Sequence, residues 1–192
     1  TGSHPLLLGG GAGVPPMYLL AKALLARGVR PTVVLGFNTA SEVFYKAEFE
    51  SLGVPTVVAT ADGSAGVSGF VTDAAREALA GVDTLLLEAN HDVETLQYGP
   101  YPYFLKRRIL GDEGHLSNDA AAEFARLAVQ SGTRDILLAH LSKENNTPEL
   151  AEYAVARALQ SAGLSVRLGV APRDTMSEVH LCRRSPSFAS AN

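Results

Sequence analysis

Short apolar runs alternate with amphipathic helical patterns along the whole chain, and this alternation restricts the fold more than any other feature. Six continuously apolar runs are candidate strands, as expected for parallel strands covered on both faces: Leu6–Leu8, Thr32–Leu35, Thr56–Ala59, Thr84–Glu88, Asp135–Ala139 and Ser165–Gly169. Strict alternation of strand and helix predicts βαβ units with right-handed crossovers. We therefore predict an α/β fold: a single doubly wound, mainly parallel six-stranded sheet, Rossmann-like with order 3-2-1-4-5-6, and helices on both faces.

Candidate N-caps precede four of the helical patterns and glycines follow them: Ser41, Asp73, Ser117 or Asn118, and Thr147. The stretch 90–114 is long for a crossover, and we predict that it holds a loop and one short helix. We predict one domain over residues 1–182, built from fragments 5–73 and 74–182. The small, polar segment 183–192 has no periodicity and is expected to form a frayed tail.

Charge and cysteine content exclude several classes of function. Twenty acidic and sixteen basic residues give a net charge of -4, so we expect no nucleic-acid partner and no anionic membrane partner. No apolar run reaches the roughly 18 residues of a membrane span. The single Cys182 favours a reducing compartment. These observations predict a cytoplasmic protein, and they leave open a homodimer or a fragment-swapped dimer.

A glycine-rich segment connects the first predicted strand to the first helix. Its candidate ligand-binding residues are Gly9, Gly10, Gly11, Gly13 and Pro15. Glycines allow a sharp turn and close approach of a ligand, and a helix N-terminus favours a phosphate. The pattern is G-x-G-x-x-P, whereas typical dinucleotide-binding turns read G-x-G-x-x-G. A turn that serves only strand–helix packing is the alternative.

Two further groups of residues follow the next predicted strands. Gly36 and Asn38 end the second strand, where an acidic residue is usual in dinucleotide-binding proteins, and Asp62, Gly63 and Ser64 follow the third. The carboxyl ends of strands are where open α/β sheets bind ligands. The alternative is a turn that is rich in Gly, Asp and Ser.

Together with Val34–Phe37, Val43-Phe44, Glu48-Phe49 and Gly69–Asp73, these motifs resemble one known domain over about residues 5–73. It is the NAD-binding domain of the electron-transfer subunit of type B dihydroorotate dehydrogenase, a relative of ferredoxin reductases. The resemblance implies that these loops face nicotinamide and pyrophosphate. The family's iron–sulfur centre needs about four thiolates, and the chain has one cysteine. We therefore expect at most weak NAD(H) binding and no electron transfer by the family mechanism.

Four polar residues in the second half are candidate metal ligands: His91, Asp92, His115 and His140. Imidazole and carboxylate groups suit zinc or manganese. Three of the four lie at strand ends or before a helix, where side chains converge. The alternative is that the histidines cap helices and bridge loops through hydrogen bonds.

Whole phrases of the second half, including Leu86–Asp92, Gly99–Pro102, Gly114–Asn118 and Leu138–Asn146, resemble a second family. It is the C-terminal half of the YycJ/WalJ-type metallo-β-lactamase-fold hydrolases, over about residues 74–173. The resemblance implies a metal-ligand role for His140. The family's H-x-H-x-D-H motif occurs nowhere in the 192 residues, so we expect only vestigial, adventitious binding of zinc or manganese.

The two resemblances meet at Val71-Thr72-Asp73. We predict that the halves complete one sheet, with Thr84–Glu88 beside Leu6–Leu8. The favoured interpretation is a recombined or designed chimera without an evolved catalytic activity, which keeps weak dinucleotide or phosphate binding at the glycine-rich turn. The alternatives are an NAD-binding redox module with a flavin partner and a residual metal-dependent phosphodiesterase.

Overall fold

The computed structural model describes residues 5–80, 82–111 and 115–175, so the predicted frayed tail over 183–192 lies outside the described residues. The first half contains four strands and three helices: β1 (Leu6–Gly10), α1 (Val14–Leu25), β2 (Thr32–Phe37), α2 (Lys46–Ser51), β3 (Thr56–Thr60), β4 (Val67–Ser68) and α3 (Val71–Ala78). The second half contains β5 (Thr84–Glu88), α4 (Val93–Tyr98), α5 (Tyr103–Leu110), α6 (Asn118–Gln130), β6 (Asp135–Ala139), α7 (Pro148–Ser161) and β7 (Arg167–Val170). None of the described helices is both long and apolar enough to cross a membrane.

The first sheet is parallel, with strand order β1-β2-β3-β4. Alternate residues of β2 point to opposite faces, as the twofold period of a strand requires. Leu35 packs with α1 and α2 on one face, where Val14 and Phe49 are fully buried, while Val34 packs with Ala74 of α3 on the other. This half is therefore doubly wound, as predicted.

The second sheet is also parallel, with order β5-β6-β7. Its helices α6 and α7 pack against each other and against one face of the sheet, which contributes Leu85, Leu87, Ile136 and Leu138 to a common core. The opposite face is open, and the side chain of Leu86 is 67% exposed. Among the residues that the structure describes, helices thus cover only one face of the second sheet.

The prediction of one six-stranded sheet is wrong. The predicted order within each half forms, as β3-β2-β1 and as β5-β6-β7, but in two separate sheets. Among the described residues, no backbone pairing joins β1 to β5. The physical reason lies in the layers. Among the described residues, one sheet has helices on both faces and the other on one face, and the contacts between the two halves are made by side chains. Leu6 and Leu8 of β1 pack against the core of the second half.

Helix α3 belongs to both halves. Its Ala74 packs under the first sheet, whereas Ala75 and the adjoining Leu79 are fully buried in the core of the second half. Asp73 lies within the first turn of this helix, where its carboxylate accepts a hydrogen bond of 3.0 Å from the Phe70 N–H. The point at which the two resemblances meet is therefore a packed helix, although its predicted N-cap lies three residues too late.

Local signals predicted the other helices to different degrees. The hydroxyls of Ser117 and Thr147 cap α6 and α7, accepting hydrogen bonds from backbone N–H groups at 3.2 and 3.3 Å. Ser41 caps no long helix, because it lies in a short 3-10 helix and α2 begins only at Lys46. The described part of the stretch 90–114, up to residue 111, holds two helices, α4 and α5, where one was predicted. The two-residue strand β4 was not predicted.

Candidate functional site

Three polar side chains meet beyond the carboxyl ends of β5 and β6. Glu88 is the last residue of β5, His140 follows β6 directly, and His115 lies two residues before the N-cap of α6. Parallel neighbouring strands end at the same edge of a sheet, and the register places Glu88 opposite Ala139. The chain therefore brings one carboxylate and two imidazoles together from positions 27 and 52 residues apart. We call Glu88, His115 and His140 the acid–imidazole cluster.

The geometry of the cluster is tight. The Glu88 Oε1 atom lies 2.9 Å from Nδ1 of His115 and 2.5 Å from Nδ1 of His140. The other carboxylate oxygen accepts a hydrogen bond of 3.1 Å from the Leu116 N–H, which fixes the orientation of the carboxylate. The two imidazole rings meet edge to face, with centroids 5.1 Å apart. Without an ion, both Nδ1 atoms can donate to Glu88; to bind an ion beside Glu88 Oε1, each neutral ring must instead carry its proton on Nε2.

Accessibility and composition make the cluster a suitable cation site. The ligand atoms of its three residues all lie within 4.8 Å of one another. Half of the His115 side chain and two thirds of the His140 side chain are exposed, at 50% and 66%, so an ion can enter from solvent. Ligands of a tetrahedral zinc ion at 2.0–2.1 Å lie about 3.4 Å from each other, so a small outward movement of the rings would be sufficient. Two imidazoles and a carboxylate fit zinc or manganese.

His91 and Asp92 do not join the cluster. Asp92 is the N-cap of α4, and its Oδ1 accepts hydrogen bonds from the Thr95 N–H and hydroxyl at 2.8 and 2.7 Å. His91 is only 2% exposed, and its Nδ1 has no hydrogen-bond partner among the described residues. Burial lowers the pKa of His91 below its usual 6.5, and His115 lowers it further, while Glu88 and Asp92 act in the opposite direction. His91 is thus a buried histidine whose neutral form burial favours.

The glycine turn, Gly9–Gly13, contains two kinds of glycine. A Cβ atom on Gly9 would lie 2.4 Å from the sulfur of Met17, and one on Gly10 would lie 2.3 Å from the carbonyl oxygen of Gly36. Gly10 is therefore required for packing, because the contact is with backbone, whereas the contact at Gly9 is with a flexible side chain. In contrast, a Cβ on Gly11 or Gly13 would meet nothing within 4 Å. The packing interpretation thus applies to Gly10, while ligand binding stays a prediction for Gly11 and Gly13.

The remaining residues predicted for this site lie along the same edge of the first sheet. Pro15 is in the first turn of α1, where proline leaves no helical hydrogen bond unmade. Gly36 is a packing residue, because a Cβ there would lie 2.7 Å from Cβ of Val71. The carbonyl of Asn38 accepts a hydrogen bond of 3.1 Å from the Asp62 N–H, so the β2 and β3 loops are joined.

Asp62, Gly63 and Ser64 form a turn with its own hydrogen bonds. The Asp62 Oδ1 atom accepts from the Ser64 N–H and hydroxyl at 2.9 and 2.5 Å, and Gly63 adopts φ +71°. The hydroxyl of Ser64 accepts from the Ala40 N–H at 2.7 Å. The hydrogen bonds from the Ser64 side chain and backbone lower the pKa of Asp62. This turn is preformed, as a ligand-binding loop requires, although its polar groups are also satisfied without a ligand.

The glycine turn fits the phosphate of a dinucleotide, whereas the acid–imidazole cluster fits a cation. The open space over Gly11 and Gly13, at the N-terminus of the twelve-residue α1, has no acidic residue in the first helical turn. It therefore offers a positive helix end to a phosphate. The first helical turn contributes few N–H groups, because Pro15 and Pro16 have none and the Val14 N–H donates to the Gly11 carbonyl. The sequence did not identify Glu88 as a ligand. A carboxylate at the end of an otherwise apolar strand was the signal available, because such a residue is aimed at the edge where ligands bind.

Comparison with known proteins gives two kinds of relative and no matching family model. The exodeoxyribonuclease WalJ of Streptococcus pneumoniae is 44% identical over 108 residues, which are 56% of this chain and 40% of that protein. The electron transfer subunit of dihydroorotate dehydrogenase B (NAD(+)) from Geobacillus is 53% identical over 85 residues, 44% of this chain and 33% of the relative. The corresponding subunit of Bacillus caldolyticus is 58% identical over 73 residues, 38% of this chain and 28% of that subunit.

A solved structure of an NADH-dependent reduced ferredoxin–NADP oxidoreductase is 36% identical and has a TM-score of 0.37, covering 43% of this chain and 30% of that chain. The chain spans two fifths or less of the length of the three curated relatives above. Both resemblances predicted from the motifs are confirmed. The chain is therefore similar, each time over part of its length, to an NAD(+)-linked electron-transfer subunit and to an exodeoxyribonuclease.

Proposed function

We propose that the chain is a chimera of two partial domains that binds ligands and has no evolved catalytic activity of its own. The function that the geometry supports best is the binding of one divalent cation, zinc or manganese, by Glu88, His115 and His140. The main support for this site is that three ligand atoms from distant parts of the chain lie within 4.8 Å of one another, on a partly exposed surface.

The surroundings of the cluster support binding more than turnover. A bound cation supplies Lewis acidity to a phosphoryl or carbonyl oxygen. Two-metal hydrolysis needs a further set of ligands for the second ion, and the described residues offer one group of suitable ligand atoms. Glu88 orients both rings and supplies the negative charge that offsets the ion. The fully buried His91 backs the cluster without contributing a ligand atom to it.

Calorimetric titration of the metal-free protein with Zn²⁺ tests the cation site. We expect one ion per chain, and at least tenfold weaker binding in Glu88→Gln, which keeps the shape of the side chain but removes its charge. Glu94→Gln is the matched control, because Glu94 is an exposed glutamate on the nearby α4 outside the cluster. Equal zinc affinity in Glu88→Gln and the native chain, or no binding at all, would exclude this site.

A dinucleotide is the second candidate ligand, at the glycine turn. The observation in its favour is the open space over Gly11 and Gly13 beside the joined β2 and β3 loops. The relatives named for NAD(+) are 53% and 58% identical over their matched parts, which supports the same ligand class. The affinity is expected to be weak, because Pro15 and Pro16 in the first turn of α1 have no N–H to donate to a phosphate.

Fluorescence titration with NADH tests this second site. The sequence alone predicts that valine at Gly11 or Gly13 abolishes binding and leaves the fold intact. The structure restricts this test to Gly13, since Gly11 adopts φ +49°, a conformation that strains a β-branched residue. We expect Gly13→Val to abolish the NADH signal and Ala23→Val, on the exposed side of α1, to preserve it. A native chain that gives no signal would remove the dinucleotide from the proposal.

NADH-dependent dye reduction with an added flavoprotein, and chelator-sensitive cleavage of a phosphodiester, test the two catalytic alternatives. Turnover in either assay that is lost in the corresponding site variant would overturn the proposal of a chain without catalytic activity.

A further inference from the structure

The residues that hold the acid–imidazole cluster together lie beyond the ends of the strands, where the sheet no longer provides hydrogen bonds. Three segments meet there: 89–92 after β5, 115–118 before α6, and 140–146 after β6. Segment 89–92 lies between the other two. Its Asn90 N–H donates to the Leu116 carbonyl at 2.8 Å, and its Asn90 carbonyl accepts from the Ser142 N–H at 2.7 Å.

A pair of buried amides fixes the separation of the two histidine-bearing segments. Asn118 and Asn146 are 2% and 6% exposed. The Nδ2 atom of each donates to the Oδ1 atom of the other, at 3.0 and 2.8 Å. Asn146 also donates to the Ala89 carbonyl at 2.8 Å and accepts from the Thr147 N–H at 3.0 Å. The pair therefore joins the segment of His115, the segment of His140 and the end of β5 in one network.

Asn90 holds the second histidine directly. Its Nδ2 atom donates to the carbonyl of His140 at 2.8 Å. His140 adopts φ +60°, the left-handed conformation that non-glycine residues rarely adopt. This conformation directs the side chain that contacts Glu88 at 2.5 Å. Such a backbone persists only where its surroundings determine it, and the Asn90 amide supplies a contact to the residue itself.

An amide suits the two paired positions, Asn118 and Asn146. Each of the two paired side chains must donate and accept at once, which a carboxylate or an aliphatic group cannot do. A buried carboxylate would in addition lose its hydration. Beyond the strand ends, the three asparagines thus supply the hydrogen bonds that backbone pairing supplies within the sheet. These bonds keep the two histidine-bearing segments at a fixed spacing.

We propose that Asn90, Asn118 and Asn146 are positioning residues, which set the spacing of His115 and His140 around Glu88 and thereby the affinity of the site for a zinc-class cation. This inference rests on the proposed cation site. Groups that orient metal ligands typically contribute 10–100-fold to metal affinity. With two imidazoles and one carboxylate held in place, the cluster favours zinc over the oxygen-preferring magnesium and calcium.

The test compares Asn90→Leu with Asn145→Leu. Leucine is close to asparagine in shape, and Asn145 is a matched control because it is also a buried asparagine, 1% exposed, whose side chain donates to the Ser142 hydroxyl and not to His140. By Zn²⁺ calorimetry we expect 10–100-fold weaker binding in Asn90→Leu and less than threefold change in Asn145→Leu. Asn90→Ser, which keeps a shorter donor, should fall between them. It also provides the measurement if Asn90→Leu does not fold.

Histidine ring ¹⁵N spectra of the metal-free protein separate this inference from the cation site itself. We expect the His140 ring signals to change in Asn90→Leu and to remain unchanged in Asn145→Leu. If the native chain binds no zinc, the proposed function fails, and unchanged His140 signals in Asn90→Leu would show that the positioning role fails too. Equal zinc affinity in Asn90→Leu and Asn145→Leu, with both variants folded, would overturn the inference.

Discussion

Alanine at Gly10 and alanine at Gly13 should change stability in opposite directions, although both glycines belong to one turn. Gly10 has extended backbone, φ -150° and ψ 171°, which alanine adopts freely. The cost of Gly10→Ala therefore comes from contact alone. Its Cβ would lie 2.3 Å from the carbonyl oxygen of Gly36 on the neighbouring strand. Backbone atoms of two paired strands cannot move apart without breaking the β1–β2 ladder.

Overpacking of this kind costs about 1–3 kcal/mol, and a backbone contact this short places Gly10→Ala near the upper value. A protein of this size loses about 2–4 °C in melting temperature per kcal/mol. We therefore expect Gly10→Ala to melt about 6–12 °C lower than the native chain, by the same conversion.

Gly13 has helical backbone, φ -76° and ψ -16°, and open space around the added methyl group. Alanine there restricts the unfolded chain and stabilises the protein by about 0.4–1 kcal/mol. We expect a melting temperature about 1–4 °C higher in Gly13→Ala. Thermal unfolding followed by circular dichroism, on both variants in one buffer, measures the difference. Equal melting temperatures in the two variants would refute the division of the turn into packing and ligand-facing glycines.

Two other predictions follow from burial. Burial lowers the pKa of His91 in the folded chain, so as the pH falls the unfolded chain takes up this proton at a higher pH than the folded chain does. The free energy of unfolding should therefore fall as the pH drops below about 6.5, by at most about 1.4 kcal/mol per pH unit. Urea titrations between pH 7 and 5 should show a smaller pH slope in His91→Leu, and an unchanged slope would contradict a neutral buried His91. Leu87→Ala should destabilise by about 2–5 kcal/mol, because Leu87 is 5% exposed, whereas Leu86→Ala should cost less than about 0.5 kcal/mol with 67% exposure. Comparable losses would mean that the open face of the second sheet is covered in solution.

The strands illustrate how far periodicity reaches. Continuous apolar runs located β1, β2, β3, β5 and β6 to within two residues, and β7 with an offset of two at its start. The same runs did not reveal that the second sheet is covered on one face only. Leu85 and Leu86 are equally apolar in the sequence, yet one is buried and the other exposed.

The two candidate sites differ in what could be predicted. The glycine turn was predicted because its signal is local: a run of glycines between an apolar strand and a helix is visible in the sequence. Within it, only the structure separates Gly10, which faces another strand, from Gly13, which faces open space. The acid–imidazole cluster was predicted in part. His115 and His140 were candidates, whereas Glu88 was missed and His91 and Asp92 were included for their chemistry alone.

By itself the sequence determined the strand–helix alternation, the parallel pairing within each half and the two resemblances, because these depend on patterns along the chain. Only the tertiary structure decided that β1 and β5 stay unpaired, that α3 packs into both halves and that Glu88 contacts the side chains of two histidines. Each of these depends on how separate layers of side chains meet in space. Residues 27 and 52 positions apart come within hydrogen-bond distance of Glu88 only once β5 and β6 are paired.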